Sequence, residues 1–189
     1  MVTDVGGLVL EQHKVTKAEY RKSMGCVVDS TLSVAAASFD FTGLPTTYAH
    51  LRVIAYLRGD TAANAITVNV RLNNDSGANY SWETILTGAT EAQAQTSAQI
   101  AAGIPGNTAP ANSFGTVVLD IPFYGGATNH KSFASQDASR QATGAGGVTS
   151  YKSGGVGFAA AAAISRVTIL PSSGNFVAGS RCSIYAMGS

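Results

Sequence analysis

The sequence predicts an all-β protein, an antiparallel two-sheet sandwich that follows an extended N-terminal arm. Three observations lead there. After residue 30, β-branched and aromatic residues alternate with polar ones, the period-2 signature of strands with one dry face. The alternating runs are short and punctuated by Gly, Asn, Asp and Pro, the residues that build turns. No stretch carries a long apolar helical period. At 189 residues the chain suffices for one domain with a sizeable core, since chains near this size bury about 70% of their unfolded surface. The expected division is an arm over 1–32 and a sandwich over 33–189.

Strands are expected near 33–42, 48–58, 65–73, 80–87, 115–122, 129–136, 154–161, 163–170 and 180–187. In the third of these, Ile66, Val68, Val70 and Leu72 share one face and Thr67, Asn69 and Arg71 the other. Val117, Leu119 and Ile121 repeat the pattern until Pro122 removes a ladder donor. Val167 and Ile169 point inward before Pro171. The final segment makes two strands around Pro171-Ser172-Ser173-Gly174-Asn175, and its last strand is expected to be tied into a sheet, because loose ends fray.

Two segments do not read as strands. Residues 88–112 far exceed the usual ~4 to 6 residue connection and predict a long surface loop. Its first half, rich in Ala, Glu and Gln, favours a short helix that Gly103, Pro105 and Pro110 would stop. Residues 143–157 hold six glycines and one aromatic, Tyr151, and predict an exposed loop suited to contacts. In the N-terminal region, Leu8, Val9 and Leu10 cannot build a core alone and must lie on the sandwich or on a neighbour. Lys14, Lys17 and Arg21, interrupted by Glu19, read as a solvated or partner-facing stretch. Anchoring by strand addition or groove binding is one role for such an arm. An extra edge strand within the same subunit is the other.

Charge is sparse, 12% of residues against an ordinary ~25%, and the net charge is +1. Such a surface suits a chain packed against copies of itself or a larger assembly. It gives no footprint for nucleic acid, which calls for clustered Lys and Arg. No apolar run approaches the ~18 residues of a membrane span, and no signal peptide opens the sequence, so synthesis in the cytoplasm is expected. Cys26 and Cys182 lack metal-ligand spacing. Two free thiols are expected, with a single disulfide as the alternative.

No catalytic constellation is legible. His13, His50 and His130 occur singly, without HExxH or His-x-His spacing. The run Gly144–Ser153 approaches a P-loop, but Tyr151 precedes Lys152 where a glycine is needed. The chain is therefore expected to be no enzyme and to need no cofactor or metal. Asn73-Asn74-Asp75-Ser76-Gly77 resembles a cation-binding turn, yet only Asp75 is charged and local turn chemistry explains it better. Tyr80 and Trp82 follow that turn, and Phe123-Tyr124 precede Gly125-Gly126, an arrangement in which rings can stack on sugars. Trp82, Tyr124 and Tyr151 are thus the candidate exposed recognition residues, against the competing expectation that strand aromatics fill the core.

Two segments carry a resemblance. The first is Phe39-Asp40-Phe41-Thr42-Gly43-Leu44-Pro45, continuing through Thr47-Tyr48 and His50-Leu51. The second runs from Ala163-Ile164-Ser165 and Val167-Thr168-Ile169 through Asn175-Phe176, Ala178-Gly179-Ser180 and Ser183-Ile184-Tyr185. Together the pair resembles a family of small virion proteins of tailed bacteriophages, over roughly residues 37–189. The resemblance implies a jelly-roll sandwich on the outside of a particle, as a capsid decoration module or a fibre or tail part. It also implies a virion location, a homotrimer around a threefold axis, and the major capsid protein or another virion protein as partner. A fibre role would instead imply a host-surface glycan or protein.

Overall fold

The computed structural model describes residues 25–86, 89–96, 99–141 and 149–188. Among them are twelve strands and no helix: β1 (Gly25–Thr31), β2 (Phe39–Phe41), β3 (His50–Leu57), β4 (Ala65–Leu72), β5 (Tyr80–Leu86), β6 (Ala89–Thr96), β7 (Gln99–Pro105), β8 (Gly115–Pro122), β9 (Lys131–Arg140), β10 (Thr149–Phe158), β11 (Val167–Pro171) and β12 (Arg181–Met187). They form two antiparallel sheets, one of eight strands in the order β1-β12-β3-β8-β9-β10-β5-β6 and one of four in the order β2-β11-β4-β7. The all-β, two-sheet expectation is met.

Strand alternation builds the core as anticipated. Val68, Val70, Leu72, Leu119, Ile121, Val167 and Ile169 are all buried, from the small sheet and the large one alike. Phe39, Phe158, Phe176 and Ile184 fill the space between. The C-terminal strand β12 lies between β1 and β3, with ladders on both sides. Its connection to β11 crosses from one sheet to the other, and so does the Gly43-Leu44-Pro45 connection between β2 and β3. The crossing at 172–175 is held by Asp60, whose carboxylate accepts Asn175 N at 2.7 Å and Asn175 Nδ2 at 3.0 Å. Gly174 is required there. Its φ is +68°, and a Cβ would stand 2.2 Å from Asp60 Oδ1.

Two expectations need correction. The region 88–112 is not mainly a loop: β6 and β7 occupy most of it, because pairing with β5 and β4 outweighs the modest helix preference of Ala, Gln and Glu. The glycine-rich 143–157 contributes most of β10, an internal strand between β9 and β5. Tyr151 is therefore a strand residue opposite Ala138. Residues 25–31 form β1, an edge strand of the chain's own larger sheet, the second of the two roles considered for the N-terminal region. Leu8, Val9, Leu10, Lys14, Lys17 and Arg21 lie outside the described residues.

Candidate functional site

On β3, β8 and β9 the residues that point away from the small sheet include His50, Arg52, Ile54 and Tyr56; Asp120 and Pro122; and Ser132 and Ala134. Register lines them up across the face. His50 stands opposite Pro122 and Met187, Arg52 opposite Asp120, and Asp120 opposite Ala134. Gly157 and Gly155 of β10 stand opposite Ser132 and Ala134. Side chains are thus absent or small where β9 meets β10 and larger on β3 and β12. The result is a groove of about 690 Å³ lined by His50, Asp120, Pro122, Ser132, Phe133, Ala134, Gly157 and Met187.

One wall is an ion pair. Arg52 Nε and Nη2 donate to Asp120 Oδ1 and Oδ2 at 2.6 and 2.8 Å, a two-point fork that raises the Arg52 pKa. At the end of the groove the chain turns sharply after β8. Tyr124 is fully buried and its hydroxyl donates to Pro45 O. Burial raises the pKa of this phenol. Gly125 lies so near the Thr46 carbonyl that a Cβ would sit 2.2 Å from its oxygen. Held at these two points, the turn ejects its first residue: Phe123 is 71% exposed, with φ at +50°. Bulky side chains rarely adopt that backbone conformation. The Phe123 ring stands edge-on to His50, with centroids 5.3 Å apart.

A smaller hollow of about 280 Å³ flanks this turn, lined in part by Phe123, His130 and Lys131. Lys131 is buried, and burial lowers its pKa. Its ammonium donates to the carbonyls of Gly126 and Asn129, at 2.7 Å each, and so closes the 123–130 loop.

The aromatic candidates are redistributed. Trp82 is 7% exposed, because on β5 it alternates with exposed Ser81 and Glu83 and takes the inward side. Tyr124 is likewise buried, and its neighbour Phe123 presents the ring to solvent instead. Asn73-Asn74-Asp75-Ser76-Gly77 is a turn, with Asn73 and Asn74 at positive φ and Asp75 accepting Gly77 N at 2.7 Å. Among the described residues no cluster of three His, Cys, Asp or Glu gathers to hold a metal ion. Cys26 and Cys182 are free. Cys182 pairs with Ser30 and Cys26 with Tyr185, about 10 Å apart along the ladder at ~3.3 Å per residue, beyond disulfide reach. Burial pushes the Cys182 thiol up to about 12. The P-loop-like run ends in β10, with no helix for phosphate to cap.

No known family matches the chain, and neither a curated protein nor a solved structure matches it.

Proposed function

We propose that this chain is a non-enzymatic structural protein of a tailed-phage virion, a jelly-roll capsid decoration protein that binds the outer shell. The observation that carries the reading is nested pairing. β1 pairs with β12, β2 with β11, β3 with β8 and β4 with β7, as in a long hairpin wrapped into two sheets. The order β1-β12-β3-β8 over β2-β11-β4-β7 supports the jelly-roll reading, in which β5-β6 and β9-β10 are inserted hairpins that extend one sheet. Both segments that carry the family resemblance supply one strand to each sheet, and they meet as the neighbours β2-β11 and β3-β12.

The binding face is the outer side of the larger sheet. Ile54 is 36% and Tyr56 49% exposed there, and Tyr56 stacks on Phe114 at 4.9 Å. Burying this apolar end against the major capsid protein, or between copies of a homotrimer, stabilises the assembled shell by mass action, since whatever binds one state favours it. The site of action is the virion, after synthesis in the host cytoplasm.

A second reading, a head-fibre or tail-fibre module for host recognition, is favoured by the groove beside His50 and the exposed Phe123. Quantitative mass spectrometry of purified particles separates the two. A simple ratio to the major capsid protein, on the order of one to one or one to three, as threefold lattice positions require, supports decoration. A trace ratio moves the assignment to a fibre.

A further inference from the structure

We propose that the groove lined by His50, Asp120 and Ser132, with the Phe123 ring beside it against His50, is a binding site for a neutral saccharide. The proposal concerns a ligand site and stands apart from where on a particle the chain sits.

Four features point to that ligand class. First, Phe123 is held outward at a backbone cost. Its φ is +50°, its ring is 71% exposed, and the buried Tyr124 together with the close approach of Gly125 to Thr46 keeps the turn in place. A strained, solvent-facing aromatic beside a groove is the arrangement expected of a stacking platform. Edge-on contact with His50 fixes the ring, leaving a face for the C–H side of a pyranose.

Second, the groove has the scale of a small-ligand site. Its ~690 Å³ falls within the roughly 300–1,000 Å³ usual for such pockets. The floor of Ser132, Ala134 and Gly157 is flat because those positions carry small side chains or none.

Third, the polar groups suit hydroxyls. Each Asp120 oxygen accepts one bond from Arg52 and keeps a further lone pair, so the carboxylate is a fixed acceptor at the rim. His50 and Ser132 add groups that both donate and accept.

Fourth, charge and backbone disfavour the alternatives. Arg52 neutralises Asp120, the buried Lys131 ammonium is turned to the carbonyls of Gly126 and Asn129, and among the described residues no Lys or Arg lines the groove to invite an acidic sugar. An extended peptide would bind most readily by adding a strand to an open sheet edge. The strands under this groove, β8, β9 and β10, are internal and paired on both sides.

The test is an array of neutral hexose and N-acetylhexosamine oligosaccharides probed with the full chain, followed by calorimetric titration of each hit. The expected result is retention of at least one neutral oligosaccharide, with affinity falling about tenfold in Phe123→Ala, the scale of one lost stacking contact. A similar or larger fall is expected in Asp120→Asn. Ile85→Ala, on the far part of the same face and also exposed, should bind as the unaltered chain does. Thermal unfolding of Phe123→Ala should match that of the parent, since the ring contributes no core packing. Failure of the parent chain to retain any neutral oligosaccharide overturns the proposal, as does retention unaffected by both Phe123→Ala and Asp120→Asn. Capture of a protein through Phe123 with a silent array also overturns it.

Discussion

The two halves of the larger sheet bury different chemistry against the smaller one. In the nested half, β12, β3 and β8 turn Ile184, Leu51, Val53, Leu57, Leu119 and Ile121 inward, and the opposing strands answer with Val68, Val70, Val167 and Ile169. In the inserted flank, β9 turns inward Lys131, Phe133, Ser135, Asp137 and Ser139, all buried. There the strand meets β7 through hydrogen bonds: Gly103 N donates to Asp137 Oδ2, and Ser139 Oγ donates to Gly103 O, each at 3.1 Å. An apolar interface gains stability in proportion to area and tolerates small shifts, whereas a buried polar seam holds only while each partner is present. The nested strands therefore form the stable frame, and the flank is an attachment whose geometry depends on particular atoms.

The largest expected effect comes from breaking the frame. Removing Ser183–Ser189 deletes most of β12 and leaves β1 and β3 facing a gap, with the ladders to both lost. It also removes Ile184 and Ala186 from the core. The truncated chain should fail to fold in soluble form, by circular dichroism and by sedimentation. Normal cooperative unfolding of the truncation would show that the nested half does not depend on its closing strand.

Point substitutions sharpen the contrast. Arg58, at the end of β3, donates to the carbonyls of Pro110, Ser113, Asn107 and Ala109 at 2.7 to 3.2 Å, and so gathers the connection from β7 to β8. Arg58→Ala strands these acceptors and should cost about 3–5 kcal/mol in urea unfolding, because several carbonyls lose charge-assisted hydrogen bonds at once, each worth about 1.5–3 kcal/mol. Asp137→Ala leaves Gly103 N without its acceptor and should cost about 1–3 kcal/mol. Equal losses at the two sites would remove the ranking of frame above flank.

How much of this was legible in the sequence divides along the same line. Ile66, Val68, Val70 and Leu72 could be placed because strict alternation reports a dry face directly. The flank hid itself. β6 is built mainly from Ala, Gln and Glu, whose local preference is helical, and β10 carries glycines that read as loop, while it is pairing with β5, distant in sequence from β10, that makes both into strands. The groove could not be seen for the same reason, since His50, Asp120, Ser132 and Gly157 meet only through register. Among aromatics, residue type showed that a ring was present but not which way it faced. Phe123 and Tyr124 are adjacent, and it is the positive φ at Phe123, together with the Tyr124 bond to Pro45, that sends one out and the other in.

The smallest effect expected is that of acid, and it too should distinguish the halves. Three carboxylates among the nested strands and their connections have lowered pKa values: Asp60 through the backbone and side-chain N–H groups of Asn175, Asp40 through Arg166 and Thr168, and Asp29, at about 2, through Arg181 and Ser183. A carboxyl whose folded pKa lies below its unfolded value, 3.8 for Asp, adds stability that is complete above the unfolded value and is lost as pH falls through the folded one. The melting temperature should therefore be flat above about pH 4 with respect to these groups and decline toward about pH 2. Asp60→Asn, which keeps an oxygen acceptor but cannot titrate, should lower stability near neutral pH and flatten the acid decline. Trp82, the single tryptophan, sits on β5 in the flank and gives a local fluorescence signal. If acid acts on the frame, circular dichroism and Trp82 emission should change together, because the flank cannot persist once β8 and β7 are lost. Emission that changes well before the dichroism would mean that the polar seam around Asp137 yields first, and that acid enters the molecule through its flank.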